Sequence, residues 1–527
     1  MTDLQCRVST KSKLVVLPFD ARVRNVIPHS RIHAHELGNY LLVPHGHVET
    51  KLLRNLGYKL PGPIVNDYDW CGITPFSSQV ETADLLTLSQ RAYVLNSMGT
   101  GKTLASLFAA DYLMQKGLVR SALVIAPLST LTTVWEREVF RRMPHRSAVV
   151  LHGSRQKRLS ALALERDFYI INHDGVSTIK NELLKMPFDV VIIDELAVLR
   201  NARTLRWKSI AAVVDGRKYA WGMTGSPTPN SPLDAWAQIR LLTPSNVTPY
   251  WKMFREQTMY QVTTFKWRAK RAAKDIVFTA MQPGVRFTLD QCADIPPTTY
   301  TDHDVTLSPQ QEAAYAEMRR NMVTNFDPTV SITAVNAGVQ VSKLLQICCG
   351  FAYDGNGIAH DLPMPERISV LKEIVESAAA KVIVFVPFKH AVRRVAEALR
   401  DEYSVEVMTG DTPKGERDRI LTSFQHGLHP QVLVAHPKVT AHGHTLTAAN
   451  VIVWFSPTTS AEVYEQANAR IPRPGQKLHT HIVHLQSSKA EAKLYAALQG
   501  KLDLQAELLS LYKTLVNGDS NGKGKTR

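Results

Sequence analysis

A tight, glycine-punctuated run, Met98-Gly99-Thr100-Gly101-Lys102-Thr103, is the first stretch of this chain whose residue types and spacing suit a defined chemistry. Glycines let successive backbone N–H groups curl around a phosphate, and a helix starting at the lysine adds its positive dipole end. At such a loop Lys102 would reach the β- and γ-phosphates of a nucleotide, and the Thr103 hydroxyl would ligate Mg²⁺. Asn96 replaces the glycine that usually opens the loop, and Asn tolerates left-handed backbone better than most residues. A G-K-T triplet alone is common by chance, so the reading depends on a strand before it and a helix after it. Further on, Asp194 and Glu195 end the apolar run Val190-Val191-Ile192-Ile193. Open α/β sheets place their chemistry at the C-terminal ends of such strands. Asp194 would hold Mg²⁺ through water, and Glu195 would polarise the attacking water. Without the upstream loop, the same pair would read as two surface acids. A third group, Gln466 to Gln476, carries Arg470 and Arg473. Cations that reach a γ-phosphate from across a cleft stabilise transition-state charge only when the cleft is shut, which couples chemistry to movement.

These residues need elements to carry them. From Gln79 to about Leu242, helical patterns alternate with short apolar runs at Tyr93–Leu95, Ala122–Ile125, Tyr169–Ile171, Val190–Ile193 and Tyr219–Trp221. Continuous β-rich runs are the signature of strands buried on both faces of a parallel sheet. A second series follows at Val382–Phe385, Val405–Val407, Val432–Val434, Val451–Trp454 and His481–Val483. Helical patterns at His390–Arg400, Lys414–Phe424 and Ser460–Ala469 separate its members. The expected fold class is α/β, two parallel-sheet lobes in tandem with right-handed crossovers. The expected divisions are a small mixed α+β segment at 1–72, the first lobe at 73–245, a helical inter-lobe region at 246–365 and the second lobe at 366–516. A small, polar, basic tail at 517–527 is expected to be disordered.

Composition bounds the partners. Hydrophobic residues make up 44% and charged residues 21% of the 527, an ordinary globular balance. Lys plus Arg total 62 against 47 for Asp plus Glu, a formal charge of +15. The excess points to a polyanion, and charge alone does not separate DNA from RNA or an acidic membrane. Cys6, Cys71, Cys292, Cys348 and Cys349 lack the C-x-x-C spacing of a zinc site and read as free thiols in a reducing compartment. With no apolar core at the N-terminus and no run long enough to span a bilayer, the expectation is a soluble intracellular protein, away from membranes.

From about Pro75 to Leu485 the motifs and their order resemble those of the Swi/Snf-type ATPases of helicase superfamily two. Gln79, in Pro75-Phe76-Ser77-Ser78-Gln79, is similar to the glutamine that reads adenine ahead of the phosphate loop. Ala126-Pro127-Leu128-Ser129, with Val134-Trp135-Glu136-Arg137-Glu138 after it, resembles motif Ia, a DNA-tracking element. Asp194-Glu195-Leu196-Ala197 resembles motif II. Thr224-Gly225-Ser226-Pro227, with Asn230 following, resembles motif III, which links the ATP and DNA sites. Gly443 to Leu446 stands at motif V, and Gln466, Arg470, Arg473 and Gln476 at motif VI. The resemblance implies two RecA-like lobes that close on ATP and Mg²⁺. Met98 to Thr103, Gln79 and Gln466 would bind ATP, while Lys102, Asp194, Glu195, Arg470 and Arg473 would act catalytically. Thr224, Gly225 and Ser226 would couple that site to the DNA. The sequence departs from the family's pattern where Ala197 replaces a histidine, and where His442, His444 and Thr445 replace a more glycine- and asparagine-rich motif V. The compact form resembles the phage and bacterial members, which implies a cytoplasmic site of action, in a bacterial host if phage-encoded.

Two basic stretches are candidate contacts to nucleic acid, with Pro127 and Ser129 of motif Ia. One is Phe265-Lys266-Trp267-Arg268-Ala269-Lys270-Arg271, where Lys266, Arg268 and Arg271 could neutralise phosphates and Trp267 could stack. The same residues also fit a solvated basic helix with Trp267 in the core. The other is Arg155, Lys157 and Arg158. No base-reading module is legible, so binding without sequence specificity is expected. The resemblance of motifs Ia, III and VI, with no aromatic wedge or hairpin insertion legible, implies an ATPase that couples hydrolysis to translocation on duplex DNA. Left open are a strand-separating helicase on DNA or RNA, and a nucleic-acid-binding protein whose motor does not cycle.

Overall fold

The computed structural model describes residues 6–36, 38–228, 231–263, 266–292, 295–321, 323–327, 330–333, 337–440 and 445–500. Asn230, Phe265, His442, Gly443, His444 and the 517–527 tail lie outside these. The chain divides into two compact units, 1–293 and 294–527.

The first unit opens with an antiparallel sheet of β1 (Arg7–Ser9), β2 (Leu14–Pro18), β3 (Arg31–His35) and β4 (Gly38–Pro44), in the order β1-β2-β4-β3. Its inward residues Val15, Leu17, Leu41 and Val43 form a core with Val23 and Leu53 from the two helices that cover one face. Polar bonds tie this segment to the sheet domain after it. Arg54 pairs with Asp84 at 2.6 Å, and the Tyr68 hydroxyl donates to buried Asp111 at 2.6 Å. Cys71, Asp111 and His145 converge there with donor atoms within 4.8 Å of one another. The Asp111 carboxylate is already taken by Arg146 at 2.6 Å, Tyr68 and Gln115, and a guanidinium at that distance repels a metal ion.

The main sheet of the unit comprises β5 (Arg91–Val94), β6 (Ala122–Ala126), β7 (Ala148–Leu151), β8 (Phe168–Asn172), β9 (Val190–Ile193) and β10 (Tyr219–Met223). After a hairpin, β11 (Met259–Thr263) and β12 (Lys266–Ala269), the short β13 (Gly284–Val285) completes it. The order is β13-β5-β10-β9-β6-β8-β7, parallel throughout. Alternate residues enter two separate cores. Ala92, Val94, Val124, Ile192 and Trp221 pack on one face, and Tyr93, Leu123, Ile125, Val191 and Ala220 on the other. Continuous apolar runs are therefore required, because neither face meets solvent.

The second unit begins with β14 (Thr298–Asp304) and holds two hairpins, β15 (Val323–Asp327) with β16 (Val330–Thr333) and β17 (Phe351–Tyr353) with β18 (Ala359–Asp361). Its sheet adds β19 (Lys381–Phe385), β20 (Val405–Met408), β21 (Val432–Ala435), β22 (Ala449–Trp454) and β23 (Thr480–Gln486) in the parallel order β14-β23-β22-β19-β21-β20. The α/β class with two parallel sheets is thus present, as the apolar runs required. Residues 246–365, expected as a helical inter-lobe region, carry strands as well as helices. β13 joins the first sheet, β14 joins the second, and three hairpins lie among the helices. β14 carried no apolar signature because it is an edge strand with nearly every residue exposed.

The second unit contains a fully buried ion pair. Arg367 and Glu491 meet at 3.0 Å, with side chains 2% and 0% exposed. The guanidinium also donates to the carbonyls of Cys348 and Leu485 and lies over the Phe455 ring. Removing one partner strands the other charge in the interior. Glu491→Ala should destabilise this unit by about 3–5 kcal/mol, measured as an earlier transition for its reporters in urea unfolding of the full chain. A double Arg367→Met, Glu491→Leu variant should recover most of that loss.

Candidate functional site

Strands β5, β10, β9 and β6 are sheet neighbours in that order and run parallel, so their C-terminal ends open along one edge. Met98–Thr103 follows β5, Thr224–Ser226 follows β10, Asp194 and Glu195 follow β9, and Pro127–Ser129 follows β6. Four segments distant in sequence become adjacent through strand pairing alone.

The loop after β5 is fixed from below by its edge partner. Leu95 and Ser97 N–H groups donate to the carbonyls of Val285 and Phe287, both at 2.8 Å, and carry the ladder into the loop. Asn96 is buried, its side chain accepting from the Phe287 N–H and donating to Thr82, each at 3.0 Å. Its φ is not positive, so its left-handed tolerance goes unused; it serves as a hydrogen-bonding rivet instead. Left-handed backbone falls to Gly99 at φ 82° and Gly101 at φ 77°. A Cβ on Gly101 would also meet Gln79 Nε2 at 2.2 Å, so glycine is needed for shape as well as for φ. Gln79 is buried against that glycine, and its Oε1 accepts the Phe76 N–H at 2.9 Å. The Thr100 hydroxyl donates to Ser97 O at 2.9 Å and shapes the turn. The helix Lys102–Gln115 starts at the lysine, whose ammonium donates to Asn96 O at 2.7 Å and Ser97 O at 3.1 Å.

Asp194 is gripped on several sides. The indole N–H of fully buried Trp135 donates to its Oδ2 at 3.1 Å, and the Glu195 N–H donates to its Oδ1 at 3.0 Å. His173 Nε2 lies 2.8 Å from its carbonyl; that oxygen only accepts, so the imidazole carries its proton on Nε2. Burial raises the Asp194 carboxyl above the usual carboxylate range, opposed by the indole, the nearby Lys102 ammonium and the Glu195 N–H. Glu195 takes a left-handed φ of 50°, a strain of about 1–3 kcal/mol that clusters at functional positions. Thr103 is half-buried in the first turn of that helix, next to Lys102. A hydroxyl and a carboxylate are the hard oxygen donors that Mg²⁺ takes, and the ammonium beside them suits a phosphate.

Thr224 is buried, and its N–H extends the ladder to Val94 O at 3.0 Å. Its hydroxyl accepts from the Ser226 N–H, and a Cβ on Gly225 would lie 3.5 Å from Met98 Cγ. The Thr224–Ser226 loop thus runs alongside the Met98–Thr103 loop.

In the second unit, the helix Ala461–Asn468 carries buried Gln466, whose carbonyl accepts from Arg470 Nε at 2.9 Å. The Arg470 carbonyl in turn holds the Leu446 N–H at 3.0 Å. Arg473 donates to Ala469 O at 2.8 Å and Thr445 Oγ1 at 3.0 Å. Burial without a carboxylate at ion-pair distance, among the described residues, pulls its guanidinium down to about 10, still charged at neutral pH.

The candidate nucleic-acid contacts fare unequally. Arg158 is withdrawn from them: it is only 7% exposed and donates to the carbonyls of Leu151 and Gly153 and to Asn172. It satisfies carbonyls left at the end of β7, an edge strand with no further neighbour. Arg155 is exposed and ion-paired to Glu182. Ser129 has a buried hydroxyl with no hydrogen bond, and Pro127 is half-buried. Lys266 to Ala269 is a strand rather than a helix, in a hairpin that the sequence reading did not foresee. Arg268 and Arg271 are exposed there, while the Lys266 side chain lies outside the described residues. Trp267 belongs to neither the core nor the solvent. The Arg255 guanidinium covers its ring at 4.1 Å and that of Trp251 at 5.0 Å. Trp135 and His173 are the site residues whose roles the sequence reading missed; Trp135 was read only as part of a tracking motif.

Family models match two parts of the chain, a SNF2-related domain at 89–349 and a helicase conserved C-terminal domain at 366–475. An uncharacterized ATP-dependent helicase of Mycoplasma pneumoniae is 24% identical over 80% of this chain and 40% of its own. A putative ATP-dependent helicase/translocase of Bacillus subtilis is 21% identical over 79% of this chain and 46% of its own. The chain thus spans less than half the length of either. Among solved structures, a Sulfolobus solfataricus SWI2/SNF2 ATPase core in complex with dsDNA is 22% identical, covers 85% of this chain and 94% of that one, and superposes with a TM-score of 0.40. No helix among the described residues is long and apolar enough to cross a membrane.

The loop and the acid pair make two substitutions decisive. Lys102→Ala and Glu195→Gln should each abolish phosphate release from ATP, with circular dichroism and the melting profile unchanged. Wild-type turnover by purified Lys102→Ala protein would place the nucleotide elsewhere.

Proposed function

The chain belongs to the SNF2-related, helicase-type ATPases of superfamily two, and on that premise we propose that it couples ATP hydrolysis to translocation along duplex DNA. The observation that carries this reading is the order along one sheet edge. Phosphate loop, coupling loop, acid pair and tracking segment follow β5, β10, β9 and β6 in turn. Gly99, Gly101 and the helix N-terminus would cradle the β- and γ-phosphates, with Lys102 leaving its carbonyl partners to neutralise them. Gln79 would orient the base. Thr103 and Asp194 would hold Mg²⁺, which supplies charge neutralisation for the leaving phosphates when bound. Glu195 would accept a proton from the attacking water, its backbone twist aiming the carboxylate off the strand axis.

In this reading Arg470 and Arg473 are the cations that the second unit contributes to the chemistry on the γ-phosphate. Arg470 maintains the motif through its backbone bonds, and Arg473 supplies the mobile positive charge. Pro127, Ser129, Arg155, Arg268 and Arg271, with Lys266, would contact the DNA, and DNA bound there would stimulate hydrolysis. A cation that acts on transition-state charge matters more for rate than for affinity. Arg473→Ala should lower kcat by about a hundredfold or more with little change in nucleotide affinity. Collapse of affinity at an unchanged saturated rate would make it a ground-state ligand.

The hairpin of β11 and β12, with Tyr260 and Val262 exposed, favours a second reading in which strands are separated. A triplex-displacement substrate beside a forked duplex, at low salt with Mg-ATP, divides the two. Translocation predicts loss of the third strand with the duplex intact, and ATPase stimulation that falls steeply with added salt. Efficient release of the forked strand would establish the second reading instead.

A further inference from the structure

Trp135 occupies an unusual stretch of backbone. Between a 3₁₀ turn at Leu128–Thr130 and an α-helix at Arg137–Arg142, residues Leu131–Glu136 form a π-helix. π-turns are rare, and their insertion in helices frequently marks a functional position. This one begins two residues after Ser129, so it joins the tracking segment directly to the helix behind it. The indole is fully buried among Leu131, Val139 and Val124, and its N–H is given to Asp194 Oδ2 at 3.1 Å. The bond crosses from the end of β6 to the end of β9, two adjacent strands. The π-turn sets the register of the indole. Tightening it to α by one residue would swing Trp135 by about 100° around the helix axis, away from the carboxylate.

Resting on the ATPase reading above, we infer that Trp135 is a positioning residue. It orients the Asp194 carboxylate for the metal ion and makes that orientation depend on the backbone state of the 127–137 segment. Of the groups that hold Asp194, the Glu195 N–H and the indole donate hydrogen bonds to its two carboxylate oxygens. Glu195 N–H holds Oδ1, and without the indole the carboxylate could pivot about that bond. A bond from a neutral N–H to a carboxylate in a shielded site contributes enough to decide between rotamers. The arrangement carries information in both directions. A phosphate backbone that pulls on Pro127–Ser129 changes the turn that aims the indole, and a metal ion that fixes Asp194 stabilises the π-turn. Packing alone explains a buried tryptophan, but not an indole N–H aimed at the acid of the nucleotide site.

The test uses Trp135→Phe, which keeps a large buried ring and removes the N–H. Manganese binding in the presence of a non-hydrolysable ATP analogue, read by electron paramagnetic resonance, should weaken about tenfold. Affinity for the same analogue without metal should stay at the wild-type value, a split that general loss of packing would not produce. The duplex-DNA stimulation of ATPase should fall towards the DNA-free rate. Manganese affinity equal to wild type overturns the inference. An independent measurement needs no variant: with indole nitrogens labelled in the wild-type protein, manganese plus the analogue should broaden one of the eight tryptophan resonances ahead of the others. Uniform broadening, or none, also overturns it. Wild-type protein whose ATPase ignores duplex DNA would instead defeat the translocase reading, leaving the metal-binding result to stand or fall alone.

Discussion

The parallel pairing of β5, β10, β9 and β6 is the constraint on which the rest of the site depends. Parallel strands end on the same edge, and each pairing leaves neighbouring ends about 5 Å apart. Gly101, Gly225, Asp194 and Pro127 stand far apart in the chain and come together only because those strands hold register, such as Gly222 against Tyr93 and Ile193. The register is set by burial on both faces. A slip of one residue would exchange the cores that hold Ile192 and Ile193, and neither face could be solvated to accommodate it. Chemical precision at the edge is therefore a by-product of hydrophobic order in the sheet.

Local devices then tune what the sheet has aligned. At this edge Glu195, Gly99 and Gly101 take left-handed backbone, where the chain turns from strand to loop. Buried polar side chains hold these turns from behind: Asn96 on Phe287, Thr224 on Ser226, Trp135 and His173 on Asp194. Each is satisfied, as an interior of low dielectric demands. The rigid shell leaves the Lys102 ammonium on carbonyl oxygens, bonds a phosphate can replace at little cost. Arg473 shows the same economy in the second unit, resting on a carbonyl and a hydroxyl rather than on a carboxylate that would neutralise it.

The sequence was most informative where one residue type has few alternatives. Glycine, lysine and threonine between a buried strand and a helix leave little but a phosphate loop, and Asp-Glu after four β-branched residues leaves little but a strand-end acid pair. Legibility failed where the deciding partner is distant. Arg158 shares a helix with exposed Arg155, and only the tertiary position of β7 shows that its guanidinium serves main-chain carbonyls. β13 has two residues, too few for any period, yet its ladder supports the phosphate loop. β14 is polar because an edge needs no second apolar face, and β7 is a half-exposed edge whose short run Ala148–Leu151 gave a weak signal. The basic stretch around Trp267 shows the converse difficulty, since its alternating aromatics and cations fit strand and helix alike until Arg255 and Trp251 are placed beside it.

A motor needs its two sites to disagree in at least one state, so that satisfying one strains the other. On the proposed translocase reading, the first unit confines the means for such disagreement to a short span. The sheet itself is too well packed to transmit graded change, because cores of this density switch between discrete arrangements rather than deform. The loops at its edge are less constrained by packing, and two of them reach the Met98–Thr103 loop and the acid pair. Gly225 lies against Met98, and the π-turn of 131–136 reaches Asp194 through one indole. Ala197, buried at the position that carries a histidine in the resembled motif, has no polar group to join the acid pair to the coupling loop. On the proposed translocase reading, that places the coupling on the β6 side of the sheet, where Trp135 makes its bond to Asp194.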